Sequence, residues 1–114
     1  MRSLKEGIAL DTITLIKGGD KAAINMMVLN DDGTARDITS DTVVVEVHPR
    51  TGRIATPSLT LTGTIVVAAA GTFTITPTDT ETDSLNVGSY YYWVKHTEAG
   101  GEVYYDGPGN LVVK

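Results

Sequence analysis

The sequence predicts an all-β fold, a β-sandwich of about seven to nine short antiparallel strands. Thr, Val and Ile recur with a period of two along most of the chain, and their β-branched side chains suit a pleated sheet better than a helix. Turn-forming clusters of Gly, Pro, Asn and Asp interrupt this alternation every ~8–12 residues, a spacing typical of a sandwich or a small barrel. Breaks rich in Pro and Gly suit strands that switch between two sheets, which favours the sandwich.

Each predicted strand is bounded by turn-forming residues. The run KGGD at 17–20 separates the first two strands, and NDDG at 30–33 ends the second, because Asn, Asp and Gly tolerate left-handed backbone conformations. Pro77 ends a short strand, and GPG at 107–109 is expected to break the last one. The polar stretch 78–87 is a predicted loop with one helical turn. The predicted strands are 12–16, 22–29, 42–48, 58–62, 64–68, 72–76, 89–96, 102–106 and 111–113.

Length and pattern together predict one domain. The chain has 114 residues, close to the common size of a single domain. Residues 12–114 carry the strand pattern and form the predicted sandwich domain. Residues 1–11 contain little core pattern, so we expect them to form an N-terminal arm that orders against a neighbour.

The composition excludes several classes of function. Fourteen acidic and nine basic residues give a net charge of −5, and the basic residues are scattered, so we expect no nucleic-acid partner. There is no cysteine, which excludes disulfides, zinc–thiolate sites and thiol catalysis. No apolar run approaches the ~18–20 residues of a membrane span, and the N-terminus makes a poor signal peptide. We therefore expect no membrane partner either.

Alternation also assigns the faces of the third predicted strand. Val43, Val45 and Val47 share one face, whereas Glu46 and His48 share the other. Charged and titratable groups prefer water, so the three valines are expected to face the core and the opposite face to be exposed.

The strand at 89–96 is aromatic on both faces. Tyr92 points to one face, and Tyr91 and Trp93 point to the other together with Lys95, whose charge argues that this second face is exposed. Exposed aromatic residues are enriched among interface anchors. The alternative is a one-residue bulge that reverses the faces and makes Trp93 a core residue, as is common in such sandwiches. The candidate interface residues are Tyr91, Trp93 and, on the partner strand, Tyr104.

The order of the motifs resembles a known family. Residues 17–47 run from KGGD through an alternating strand to an Asp-Gly turn, then Asp-Ile-Thr and a Val-rich strand. Residues 68–78 hold a short strand before a Pro-Thr loop, and residues 87–113 hold a Gly-x-Tyr-x-Tyr strand, a Gly hairpin and a closing Gly-x-Leu-x-Val strand. In this order the motifs resemble the immunoglobulin-like N-terminal domain of bacteriophage baseplate upper proteins and related phage tail modules, over residues 12–113. The resemblance implies an immunoglobulin-like β-sandwich that serves as a structural part of a phage particle, with no catalytic residues to carry over. Baseplate upper proteins continue into long C-terminal regions that this sequence does not have.

The residues themselves offer little catalytic chemistry. His48 and His96 are predicted to be solvent-facing residues near strand ends, without the partner pattern of a zinc site or a catalytic triad. The acidic residues of 79–83 lack the spacing of an EF-hand and are expected to form a solvated loop. The Gly pairs lie between strands, where turn geometry accounts for them. We therefore predict no enzyme activity, no cofactor, no metal and no small-molecule substrate.

Two further functions remain open beside the structural one. The first hypothesis is a bacteriophage virion structural protein, an immunoglobulin-like docking module of the tail, baseplate or connector. It would be assembled in many copies in the host cytoplasm and bind other virion proteins. A head decoration protein is an alternative within the same class. The other alternative is a carbohydrate- or host-receptor-binding module in which Tyr91, Trp93 and Tyr104 stack on sugar rings.

Overall fold

Eight strands and two short helical segments make up the described part of the chain. The structure is a computed structural model, and it describes residues 12–19, 23–30, 32–51 and 56–114. The predicted arm, residues 1–11, lies outside them. The strands are β1 (Ile13–Leu15), β2 (Ile24–Met27), β3 (Thr42–Pro49), β4 (Leu59–Thr62), β5 (Thr64–Val67), β6 (Thr72–Ile75), β7 (Gly88–Thr97) and β8 (Val103–Val113), with a 3-10 turn at Ala68–Ala70 and helix α1 at Asp79–Asp83.

The strands form two sheets, which confirms the predicted β-sandwich. One sheet has five strands in the order β1-β8-β7-β3-β4, and the other has three in the order β2-β6-β5. Paired strands are antiparallel, as predicted, except that β1 runs parallel to β8 with Ile13 opposite Leu111. A hydrogen bond from the backbone N–H of Lys17 to the carbonyl oxygen of Lys114, at 2.9 Å, continues this pairing beyond both strands.

The core lies between the sheets and follows the predicted alternation. Val43, Val45 and Val47 of β3 are at most 2% exposed, which confirms their inward direction. Each such buried aliphatic or aromatic side chain contributes about 1.5–3 kcal/mol relative to an exposed one. The buried hydrophobic residues are Ile13, Leu15, Val28, Ile38, Val43, Val45, Val47, Leu61, Phe73, Ile75, Leu85, Tyr92, Val94, Leu111 and Val113.

The loop from β2 to β3 is fixed by a polar turn and by a glycine. Thr39 donates from its backbone N–H (2.9 Å) and its hydroxyl (2.5 Å) to Oδ1 of Asp37, and these bonds lower the pKa of Asp37. Between them Ile38 is fully buried in the core. The loop also packs on Gly71, which has φ +68°, and where a Cβ would lie 2.5 Å from the carbonyl oxygen of Val28. The sequence Asp-Ile-Thr therefore forms a turn whose central residue, Ile38, attaches the loop to the core.

Helix α1 confirms the helical turn predicted within 78–87. Thr78 and Glu81 form a capping box, in which each side chain bonds the backbone of the other residue. The hydroxyl of Thr82 donates to the carbonyl oxygen of Gly19 at 2.8 Å and ties the helix to the loop after β1. Beyond the helix, the hydroxyl of Tyr90 donates to the carbonyl oxygen of Asn86 at 2.8 Å. No helix among the described residues is long and apolar enough to cross a membrane.

The predicted break at 107–109 is wrong, because β8 continues through it. The register between β7 and β8 shifts at this point, so that Gly107 and Pro108 lie opposite the single residue Trp93. This arrangement is a β-bulge, which absorbs an extra residue without ending the strand. Proline is tolerated there because a bulge does not need its missing N–H.

Candidate functional site

The surface of the five-stranded sheet that points away from the core carries the largest group of aromatic side chains outside the core. We call it the outer face. Cross-strand register and alternation place its members, since paired residues share a face. They include Val44, Glu46 and His48 of β3, Thr60 and Thr62 of β4, Tyr91, Trp93 and Lys95 of β7, and Tyr105, Asn110 and Val112 of β8.

Tyr91 and Trp93 form the centre of this face. Both are partly exposed, and their ring centroids are 6.0 Å apart with the ring planes at 72°. Tyr92 and Val94, on the opposite side of the same strand, are each 1% exposed. The structure therefore places Trp93 on the outer face, as predicted, and the alternative of a core Trp93 is wrong.

Trp93 is supported from both neighbouring strands. On β8, a Cβ at Gly107 would lie 2.8 Å from Cδ1 of the indole, so the absence of a side chain there lets the ring lie against the backbone of the bulge. On β3, the imidazole of His48 contacts the indole edge-on, with centroids 5.3 Å apart and planes at 85°. These contacts hold the indole in one position on the sheet.

The prediction that Glu46 and His48 are exposed is wrong. His48 is fully buried and Glu46 is 9% exposed, although both lie on the outer face. Register places Trp93 opposite Glu46 and Tyr91 opposite His48, and these large neighbours cover them. The carboxylate of Glu46 compensates the burial, with Oε1 3.2 Å from Nε2 of His48 and Oε2 4.0 Å from Nζ of Lys95.

His96 is also buried, which corrects its predicted exposure. It lies on the core side near the end of β7, and its Nε2 is 2.7 Å from Oδ2 of Asp41. The other carboxylate oxygen of Asp41 accepts the backbone N–H of Ala99 at 3.0 Å. Asp41 therefore joins the start of β3 to the hairpin between β7 and β8. Both histidines have structural partners within the fold.

Tyr104 does not join the aromatic pair. It is paired in register with His96, so its side chain lies on the core side of the sheet edge, with ring centroids 6.1 Å apart. The next residue, Tyr105, lies on the outer face instead, with Nζ of Lys95 6.0 Å from its ring centroid. The structure thus brings two of the three candidate residues together, and Tyr105 takes the position expected of Tyr104.

The hydroxyl of Tyr104 should titrate late. It donates to Oε2 of Glu102 at 2.5 Å, and this hydrogen bond, with the charge of Glu102, raises the pKa of Tyr104 from about 10 to about 12. A raised pKa means that the interaction stabilises the fold below pH 10 and is lost as the pH rises through 12. We expect the absorbance at 295 nm of the native protein, minus that of Tyr104→Phe, to titrate with a midpoint of about 12. Glu102→Gln should lower that midpoint, and a native midpoint of about 10 would contradict the bond.

Arg50 is a site residue that the sequence analysis missed. It follows β3 and is exposed, and its guanidinium carbon lies 4.2 Å from the ring centroid of Tyr91. Its Nη1 donates to Oδ1 of Asn110 on β8 at 2.9 Å. No local pattern marks Arg50, because both contacts come from strands that are distant in sequence.

The described residues contain no group of three or more His, Cys, Asp or Glu side chains placed to hold a metal ion. In α1, Glu81 takes part in the capping box and Asp83 forms an ion pair with Lys17, at 3.7 Å. In comparisons with known proteins, no family model matches this chain and no curated protein matches it.

Proposed function

We propose that this chain is an immunoglobulin-like assembly module of a bacteriophage virion, in the tail, baseplate, connector or head, and that it docks on a neighbouring structural protein through its outer face. The strand order supports the immunoglobulin-like type, because β8, β7 and β3 form one sheet and β2, β6 and β5 the other, as in that fold. The bond from Tyr90 to Asn86 matches the tyrosine corner found near the start of the penultimate strand of such domains. The phage assignment is supported by the order of the sequence motifs.

The observation that carries the docking proposal is the rigid aromatic pair. Tyr91 and Trp93 are partly exposed at the centre of a sheet face, on β7, the middle one of the five strands. Gly107 and His48 fix the indole, and Arg50 lies over the phenol ring. Protein interfaces concentrate their binding energy in a few central Trp, Tyr and Arg residues that are already held in place.

A non-enzymatic role is supported by the surroundings of the titratable groups. His48 pairs with Glu46, and His96 pairs with Asp41, and neither imidazole is exposed. A general base must reach a substrate proton, directly or through one water, which a covered imidazole cannot do without a local opening of the fold. Their positions fit structural roles.

The geometry does not favour a carbohydrate-binding module. The rings of Tyr91 and Trp93 are inclined at 72°, and Tyr104 lies on the other side of the sheet. The three residues therefore do not form one stacking platform.

The proposal is tested on purified particles of the phage that encodes the chain. Quantitative mass spectrometry should find the chain in intact particles at many copies per particle. A gene carrying Trp93→Ala should yield particles that contain at least about tenfold less of it, since loss of a central aromatic anchor costs about 2 kcal/mol or more. Met27→Ala is the matched control, because Met27 is 45% exposed on the other sheet and should leave incorporation unchanged.

Particles that lack the chain altogether would overturn the virion assignment. Particles that incorporate Trp93→Ala as well as the unaltered chain would overturn docking through the outer face. Circular dichroism and thermal unfolding of the purified variant must first show that it is folded, and Trp93→Phe offers a milder substitution if it is not.

A further inference from the structure

We infer that the partner bound by the outer face is an acidic protein segment, whose Asp or Glu carboxylates bind Arg50 and Lys95 on either side of the aromatic pair. This inference rests on the proposed docking function and adds the chemistry of the partner. Four residues carry it: Arg50, Lys95, Tyr91 and Asn110.

Arg50 is held in a position suited to a carboxylate. The ring of Tyr91 lies 4.2 Å from its guanidinium carbon, and Asn110 accepts one hydrogen bond from Nη1 at 2.9 Å. A guanidinium has five N–H donors, and no second hydrogen bond from Arg50 occurs among the described residues. Because the planar fork is already fixed, a bidentate carboxylate can bind it with little further loss of side-chain freedom.

The charge of the outer face is opposite to that of the whole chain. The chain has a net charge of −5, yet the charged residues next to the aromatic pair, on β3, on β7 and directly after β3, are Glu46, Lys95 and Arg50. Glu46 is covered, with its carboxylate directed to His48 and Lys95. The Lys95 side chain is 33% exposed, and Arg50 is exposed. What reaches solvent is therefore positive charge beside aromatic rings, and complementary charge sets partner choice and association rate.

The same charges favour a short acidic segment of another protein. A nucleic acid needs a clustered track of Lys and Arg along its phosphates, whereas the aromatic pair is flanked by two exposed cations, Arg50 and Lys95. A second copy of this chain is disfavoured because several of its own carboxylates are engaged within the fold, such as Glu81 in the capping box, Glu98 with Arg36, and Glu102 with Tyr104. A segment that places apolar groups against Tyr91 and Trp93 and carboxylates at Arg50 and Lys95 would complement both the rings and the two cations.

The test uses the whole chain and a defined probe. A short peptide of alternating Glu and Val is titrated into ¹⁵N-labelled protein and followed by heteronuclear NMR and by the fluorescence of Trp93, the sole tryptophan. We expect shifts confined to residues of the outer face, together with a change in Trp93 emission. The same peptide with Lys in place of Glu should produce neither. Arg50→Gln should weaken binding by at least about tenfold, as expected for loss of a charge-assisted pair. Lys17→Gln is the matched control and should not, because the ammonium of Lys17 is bonded to the carbonyl oxygens of Asp83 and Leu85 and not to the outer face.

Three results would overturn this inference. They are an absence of chemical-shift changes at millimolar peptide, equal binding of the Lys peptide, and chemical-shift changes that map to the three-stranded sheet. Shifts of the outer-face residues that grow with protein concentration alone would assign the face to a second copy. Shifts caused by a neutral glucose oligomer would assign it to a glycan. If Trp93→Ala still prevents incorporation into particles while the acidic peptide fails to bind, docking stands and the acidic partner does not.

Discussion

Replacing Gly109 by Ala should destabilise the protein by about 3 kcal/mol, and lower the melting temperature on the order of 10 °C. An added Cβ at this position of β8 would lie 2.4 Å from Cε1 and Cζ of Tyr92 and 2.8 Å from its hydroxyl oxygen. Tyr92 is 1% exposed and packs within the core, so its ring has no free volume to move into. The backbone at Gly109 has no positive φ, and the expected loss is therefore steric.

Chemical denaturation of matched variants checks this prediction. Gly100→Ala is the control, because no atom of the described residues lies within 4 Å of a Cβ there and the hairpin tip should accept Ala with a change within about 1 kcal/mol. In a double-mutant cycle with Tyr92→Leu, the pair should cost at least about 1 kcal/mol less than the sum of the two single changes, since the smaller side chain makes room for the methyl group. A Gly109→Ala protein as stable as the unaltered chain would show that the ring of Tyr92 does not lie across this position.

The burial of one face of a strand could be predicted from the local alternation of apolar and polar residues. A strand with one apolar face can bury only that face, so Val45 and Val94 needed no knowledge of their neighbours to be placed in the core. The Thr78 capping box and the short helix after it also follow from residues close together in sequence. The same local rule placed Tyr91 and Trp93 together on the outer face.

The errors concern properties that depend on cross-strand register. His48 is buried because Tyr91 lies opposite it and Trp93 contacts it, and no residue near His48 in sequence indicates this. Tyr104 and Tyr105 alternate on one strand, and only the pairing of His96 with Tyr104 decides which of them lies beside the aromatic pair. Either assignment satisfies the local pattern.

The segment 107–109 shows a second kind of limit. Gly-Pro-Gly ends strands in most contexts, because proline lacks an N–H and glycine tolerates turn conformations. Here the strand continues, since Gly107 makes room for Trp93 and Gly109 makes room for Tyr92, on opposite sides of the same sheet. The two glycines are required by side chains of another strand, which the local sequence does not contain.

Replacing Asp41 by Ala should destabilise the protein by about 3 kcal/mol through the hairpin between β7 and β8. The carboxylate of Asp41 bonds both the imidazole of His96, at 2.7 Å, and the backbone N–H of Ala99, at 3.0 Å. His96 is fully buried, and its Nδ1 has no hydrogen-bond partner among the described residues, so loss of Asp41 would leave the ring without its one strong partner. An unsatisfied buried donor costs about 1–3 kcal/mol, and the hairpin loses its attachment as well. Hydrogen exchange should show the amide of Ala99 and its neighbours opening more often in the variant.

The matched control is Asp83→Ala, whose carboxylate pairs with Lys17 at the surface and whose loss should change stability by no more than about 0.5 kcal/mol. In a cycle with His96→Ala, the double variant should lose at least about 1 kcal/mol less than the sum of the single losses, because both remove the same bond. If the losses of stability of the two single variants were strictly additive, Asp41 would act on the hairpin through Ala99 alone. Unchanged stability of Asp41→Ala would mean that the pair does not hold the hairpin, and that the burial of His96 is compensated by another group.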